Sequence, residues 1–381
     1  MRVLALLTDA YGGHGGIARY NRDLLAALGG SDVVDEIIAL TRGGAPDGEA
    51  LPPRTVQLPP LRSPVSYSAR AAQLALASGP FDVLFCGHLN MGPLAAGLAR
   101  IARAPLWLQL HGIEAWERPG SHRRLAAERA DVVTAVSRYT RRRFLDWADV
   151  DPARVRVLPN TVEARFSPGP KPRGIVERHG LEGRKVLLTV SRLAATERYK
   201  GHDRVIAALP AVLQRHPDAL YLIAGEGDDR ARLARLAEDA GVGAAVRFAG
   251  QVPGDELPDT YRAADLFVMP STGEGFGIVL LEAASTGLPV IAGNRDGSVD
   301  ALADGALGTL VDADDATALA AAIVASLDRP RAPDAGHVAR FAYASFARHV
   351  EAIVASLSAK ARPGDRPGAS SAHPPRVGVG A

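Results

Sequence analysis

Leu266-Phe267-Val268-Met269-Pro270-Ser271-Thr272-Gly273-Glu274-Gly275-Phe276-Gly277-Ile278-Val279-Leu280-Leu281-Glu282 runs from a short apolar segment, through a glycine-rich loop, into a helical pattern. An apolar run closed by proline and glycine reads as a strand, and the segment after Gly277 reads as a helix. Strand, loop and helix in that order make half of a βαβ unit, and a strand apolar on both faces belongs in a parallel sheet covered by helices. Gly275 and Gly277 let the backbone approach a ligand closely. The helix start at Phe276–Ile278 offers N–H groups suited to a phosphate. Glu274 and Glu282 stand eight residues apart, roughly 12 Å if the span were all helical. That is about the distance from a sugar, across a diphosphate, to a ribose. A carboxylate at each end can hold hydroxyls through charge-assisted hydrogen bonds. Taken alone, the two glutamates read as well as a solvated loop charge and a surface helix residue. Their setting between strand and helix tips the balance toward a site.

Working outward, the same alternation covers most of the chain. Strands are expected at Val3–Leu7, Val33–Leu40, Val83–Phe85, Leu106–Leu110, Val132–Val136 and Val155–Leu158, then at Val186–Val190, Leu220–Ala224, Val246–Ala249, Leu266–Met269 and Pro289–Ala292. Between the two groups lies Pro159 to Arg173, with four prolines and no periodicity, which reads as a linker. The fold class is therefore α/β: two doubly wound, Rossmann-like domains, 1–160 and 174–335, joined by 161–173 and facing a cleft. A helical stretch at 336–358 is placed to cross back onto the first domain. Residues 361–381, rich in Pro, Gly and Ser, read as a disordered tail. In two such domains a ligand belongs in the cleft, outside the carboxyl ends of the strands.

Composition narrows the function. The 381 residues carry 44 Lys+Arg against 42 Asp+Glu, a net charge of +2, which argues against a nucleic-acid binder. One cysteine, Cys86, excludes an intramolecular disulfide and a cysteine-clustered zinc site. Only four of the basic residues are lysines, so a well-placed lysine draws notice. The first residues lack a secretory apolar region, and no run is long enough to span a bilayer. A cytoplasmic protein is expected.

Val190-Ser191-Arg192-Leu193, followed by Tyr199-Lys200-Gly201-His202-Asp203, puts two cations on neighbouring loops. Arg192 and Lys200 suit a diphosphate leaving group, although each alone reads as a solvated charge. These motifs, with Glu-x7-Glu after them, resemble the retaining glycosyltransferase family four, of GT-B fold. The similarity runs from the glycine loop at 12–16 to about residue 315. It implies a nucleotide-diphosphate sugar as donor, with no cofactor and no catalytic metal. The first domain would then take the acceptor side and the second the nucleotide sugar. Arg192 and Lys200 would meet the diphosphate, Glu274 the sugar and Glu282 the ribose. The resemblance also places His111 near the donor sugar and Gly15 and Gly16 on the opposite wall of the cleft. Gly225 and Val252 would lie near the nucleotide. Where the family often carries Gly-Gly-x-x-Glu, this chain has Gly293-Asn294-Arg295-Asp296-Gly297-Ser298-Val299-Asp300.

A glycan or lipid-linked acceptor of cell-surface polysaccharide synthesis is the expected partner, with mannose the first donor sugar considered and glucose or galactose next. Arg138, Arg141, Arg142 and Arg143, beside Tyr139, Phe144 and Trp147, can read as a basic face on the inner membrane surface or as an ordinary solvated helix. Three rivals stay open: a same-fold epimerase or phosphorylase, a nucleotide-sugar-binding protein without catalysis, and, last, a pyridine-nucleotide oxidoreductase. The last lacks the proper glycine fingerprint.

Overall fold

A computed structural model describes residues 1–45 and 48–360. The tail expected at 361–381 lies outside the described residues. Two wholly parallel sheets carry the fold. In the first, β1 (Arg2–Leu7), β2 (Glu36–Thr41), β3 (Thr55–Gln57), β4 (Val83–Cys86), β5 (Leu106–Leu110), β6 (Val132–Ala135) and β7 (Val155–Val157) lie in the order β3-β2-β1-β4-β5-β6-β7. The second holds β8 (Lys185–Val190), β9 (Ala219–Ala224), β10 (Val246–Gly250), β11 (Leu266–Met269), β12 (Val290–Gly293) and β13 (Thr309–Val311), in the order β10-β9-β8-β11-β12-β13. The central strands are buried along almost their whole length, because helices cover both faces of each sheet.

All eleven expected strands are present, and two more appear at sheet edges. Both β3 and β13 are three residues long and partly polar, and neither sets two apolar residues about a polar one. The second strand starts later than expected. Val33 and Asp35 are instead tied to the chain start, the Met1 ammonium donating to the Val33 carbonyl and to Asp35 Oδ2, each at 2.6 Å.

Chain order reverses at β1/β4 in the first sheet and at β8/β11 in the second. Each reversal opens a crevice at the strand ends, so the loops after β1, β4, β8 and β11 are the natural ligand walls. Between the sheets the chain is anchored rather than loose. Val162 bridges to Ala342, and the buried Phe166 stacks edge-on against Tyr261. The C-terminal helical stretch is not continuous: Ala342 is extended to make that bridge, and the long helix spans Tyr343–Lys360. Phe346, Val350, Ile353, Val354 and Leu357 share one core with Tyr20 and Leu24 of the helix Gly16–Gly30. Tyr20 and Phe346 meet ring edge to ring face at 5.6 Å. The last helix thus packs back on the first one.

Candidate active site

The loop after β11 enters the helix Ile278–Ser285 through Gly277, whose φ of 88° is a conformation that glycine adopts without strain. Phe276 is buried against Phe341 and holds the turn down. Gly275 lies so close to the end of β5 that a Cβ there would collide with the His111 carbonyl oxygen. A Cβ on Gly112 would in turn sit 2.8 Å from Gly275 Cα. The two sheets therefore meet, backbone to backbone, at the mouth of this loop. Across the same gap, a Cβ on Gly16 would be 3.4 Å from Ile278 Cδ1, so the start of the helix Gly16–Gly30 faces the start of Ile278–Ser285.

Lys200 Nζ donates to Glu274 Oε1 at 2.6 Å, and both side chains are largely buried. Burial works against the ammonium, but Glu274, Tyr199 and Glu197 outweigh it and hold the Lys200 pKa above its ordinary value. Arg192 does not reach this pair. It is 79% exposed and bonded to Glu197, whose other oxygen lies 3.7 Å from Lys200 Nζ. Glu197 sits between the two cations. The sequence reading took them as an open pair and missed this carboxylate, for which a helical turn between two basic residues gives no distinguishing signal.

Glu282 stands in the second turn of its helix, where its Oε2 accepts from the Tyr261 hydroxyl at 2.8 Å. Burial raises its pKa, opposed by that hydrogen bond and by Arg19 and Arg165. His111 Nε2 lies 3.0 Å from the Gly87 carbonyl. A carbonyl only accepts, so Nε2 carries the proton and Nδ1 is left as an acceptor. Burial lowers the His111 pKa to about 4, with Glu114 opposing, so the ring is neutral at physiological pH. Gly225 packs against the Ser191 carbonyl and donates its N–H to the Gly250 carbonyl at 2.8 Å. Val252, two residues on, is half-buried at the rim of the core. The structure therefore gathers Lys200, Glu274, Gly275, Gly112 and His111 at one point and Gly15–Gly16 opposite. Gly225 lies beside Ser191 and is bonded to Gly250, two residues before Val252.

Two family models match, glycosyl transferases group 1 over residues 175–342 and glycosyltransferase family 4 over residues 14–166. A GDP-mannose-dependent alpha-(1-6)-phosphatidylinositol monomannoside mannosyltransferase of Mycolicibacterium smegmatis is 39% identical over 63% of this chain and 65% of its own length. The enzyme of the same description from Mycobacterium tuberculosis is 36% identical over 76% of each chain. The chain belongs to the retaining glycosyltransferase family 4. The Anabaena HepE structure in complex with UDP-glucose shares the fold, with a TM-score of 0.76 at 22% identity over 93% of this chain and all of that one.

Within this family-4 glycosyltransferase the divergent loop Gly293–Asp300 has definite work. Asp296 Oδ2 accepts from Ser271 Oγ and from the Glu274 N–H, both at 2.8 Å. Asp300 Oδ1 accepts from Arg138 Nε at 2.7 Å, and Asp304 from Arg138 Nη2 at 2.6 Å, so this stretch also grips the first sheet's side of the cleft. The basic quartet is otherwise engaged than as an open cationic face. Arg141 donates to the Val155 and Pro152 carbonyls and Arg143 to the Trp116 carbonyl, while Arg142 stacks on Tyr139. Among the described residues, no group of three His, Cys, Asp or Glu side chains is placed to hold a metal ion. None of the described helices is long and apolar enough to cross a membrane.

Proposed function

We propose that this glycosyltransferase moves mannose, with retention and without a catalytic metal, from GDP-mannose to a lipid-linked, inositol-bearing acceptor. The observation that carries the site is the Lys200–Glu274 pair, next to Gly275, which packs against the His111–Gly112 backbone. The mycobacterial relatives, named for GDP-mannose and phosphatidylinositol monomannoside, support the choice of donor and acceptor class.

In this reading the second domain holds the donor. The start of the helix Ile278–Ser285 and Lys200 take up the charge that grows on the departing diphosphate, and Arg192 swings from Glu197 to join them. The Glu282 carboxylate, braced by Tyr261, holds the ribose. Glu274 and the His111 Nδ1 acceptor orient the sugar hydroxyls. The acceptor hydroxyl attacks the anomeric carbon from the face the diphosphate leaves. Its oxygen bonds to that carbon as the C–O bond to phosphate breaks, and the departing phosphate oxygen takes the proton. No side chain needs to act as a nucleophile, because positioning and electrostatics lower the barrier. A lipid acceptor would bring the protein to the inner face of the membrane. Of the four arginines, Arg142 is the exposed one without a carbonyl or carboxylate partner in the contacts above, and so the best placed to meet anionic lipid.

Incubating the protein with GDP-mannose, UDP-glucose or ADP-glucose, with and without phosphatidylinositol monomannoside, tests this directly. Mannose transferred with an α-linkage is the expected product. Transfer only from a UDP- or ADP-sugar would overturn the donor. Donor cleavage without transfer to the lipid would overturn the acceptor, and an epimerised or phosphorolysed donor would move the chain to one of the rival chemistries.

A further inference from the structure

Beneath the Glu274 loop lies a carboxylate that the proposed reaction never touches. Asp296 is 1% exposed. Besides Ser271 Oγ and the Glu274 N–H on Oδ2, its Oδ1 accepts from the Ser298 N–H at 2.9 Å. The next residue completes the grip, Gly297 donating its N–H to the Glu274 carbonyl at 2.8 Å. Both backbone groups of Glu274 are thus fixed by two consecutive residues of the loop after β12, while Lys200 fixes its carboxylate. The two loops touch directly: a side chain on Gly297 would collide with the Gly275 carbonyl oxygen.

A buried carboxylate is an expensive way to fill space, since an apolar or neutral residue of similar size is often as stable or more so. Burial pushes the Asp296 carboxyl up, and the Glu274 and Ser298 N–H groups and the Ser271 and Ser298 hydroxyls pull it back. What three acceptor contacts on one rigid group supply is direction. The same loop reaches the opposite wall through Asp300 and Arg138, so one element registers both the closed cleft and the backbone of Glu274. We infer that Asp296 is a positioning residue for glycosyl transfer, setting the main-chain direction of Glu274 and hence where its carboxylate meets the donor sugar. The inference rests on the proposed role of Glu274 at the sugar.

Asp296→Asn and Asp296→Ala, made in the full chain, are to be compared with Glu274→Gln and with Asp296→Asn/Glu274→Gln. The readouts are steady-state transfer from GDP-mannose to phosphatidylinositol monomannoside and GDP affinity by calorimetry. A misplaced reacting group is expected to lower kcat about 10²-fold in Asp296→Ala. GDP affinity should stay within about threefold, since the nucleotide end is untouched. Asn keeps one carbonyl oxygen for the Glu274 N–H, so its kcat should recover to within about tenfold of the parent. In the Glu274→Gln background the Asp296→Asn change should add less than about threefold, because its effect passes through Glu274. A parental kcat in both Asp296 variants overturns the inference. So does a kcat loss in Asp296→Asn matched by an equal loss of GDP affinity, or one that multiplies fully with Glu274→Gln. Should Asp296→Ala fail to fold, Asp296→Asn decides alone: a kcat about three- to tenfold below the parent with GDP affinity kept supports the role, and a parental kcat overturns it. Wild-type activity is scored first: if the parent uses another nucleotide sugar, the same comparison runs on that donor and its nucleotide. A parent that transfers from none overturns the functional reading and the role of Asp296 together.

Discussion

Lys200 and Glu274 hold each other at 2.6 Å across two loops of the second sheet, within a largely buried setting. A donor diphosphate would compete for the ammonium and leave Glu274 to the sugar. Lys200 is charged at any physiological pH, because its carboxylate neighbours more than offset burial.

Lys200→Ala should therefore lower kcat by about 10²–10³, the loss of one fixed charge at a developing anion. It also strands Glu274 without its partner, so donor affinity should fall as well. Turnover near the parent level in a folded variant would take Lys200 out of the site. Circular dichroism confirms folding, and donor titration separates the two effects.

The two glutamates should fail differently. On the proposed function Glu282 would meet the ribose, which does not change during reaction, so Glu282→Gln should raise the donor KM more than it lowers kcat. On the same reading Glu274 would act where geometry tightens as the anomeric bond breaks, so Glu274→Gln should mainly lower kcat. Tyr261→Phe, which removes the hydroxyl bonded to Glu282, should mimic Glu282→Gln at lower amplitude. Matching KM effects in both glutamate variants, with kcat unchanged, would contradict the assignment.

Two histidines predict the acid side of the stability curve. Burial lowers both His111 and His202 to about 4. The unfolded chain takes up these protons near pH 6.5, the folded protein only near pH 4, so stability is present above 6.5 and falls as pH drops through that window. Each group accounts for at most about 3 kcal/mol at pH 4. Asp296 and Glu282, raised by burial, act with the opposite sign. His202 is bonded to Ser191 and Tyr221. His202→Asn should flatten the decline in melting temperature between pH 6.5 and 4.5 relative to the parent. Parallel curves would mean that His202 titrates normally.

How much of this was legible beforehand follows from sequence separation. The strand, Gly-x-Gly and helix around Glu274 lie within seventeen residues, so their chemistry is local and readable. The supports of that site are not local. Asp296 reaches back 25 residues to Ser271, and Tyr261 reaches forward 21 to Glu282. An aspartate in a loop and a tyrosine in a helix carry no mark of such partners. Edge strands β3 (Thr-Val-Gln) and β13 (Thr-Leu-Val) escaped for another reason: unlike Val155-Arg156-Val157 of β7, neither sets two apolar residues about a polar one. For the basic quartet the charge was visible in the sequence, but the carbonyl and carboxylate partners of Arg138, Arg141 and Arg143 were not.

Arg138 gives a milder prediction. Its guanidinium ties the first sheet's side of the cleft to Asp300 and Asp304, but at 56% exposure each pair is worth no more than about 1 kcal/mol. Arg138→Ala should therefore weaken donor affinity about thirtyfold or less, and the parent should lose a similar factor at high salt as the pairs are screened. A loss of a hundredfold or more would show that Arg138 touches substrate instead.

The sharpest steric test is Gly275→Ala. The added methyl would meet the His111 carbonyl oxygen, and backbone on both sides leaves no flexible side chain to give way. Such overpacking typically costs about 1–3 kcal/mol when it falls in a core. Here it falls where the two sheets meet, so opening the cleft relieves it more cheaply than disturbing either sheet. The expected variant keeps a melting temperature near that of the parent but loses transfer by about 10²-fold, because on the proposed function Glu274 and His111 would no longer face one sugar together. Small-angle scattering should report a larger radius of gyration than for the parent with donor bound. Full activity with an unchanged radius would mean that the Gly112–Gly275 contact is not needed for the reaction.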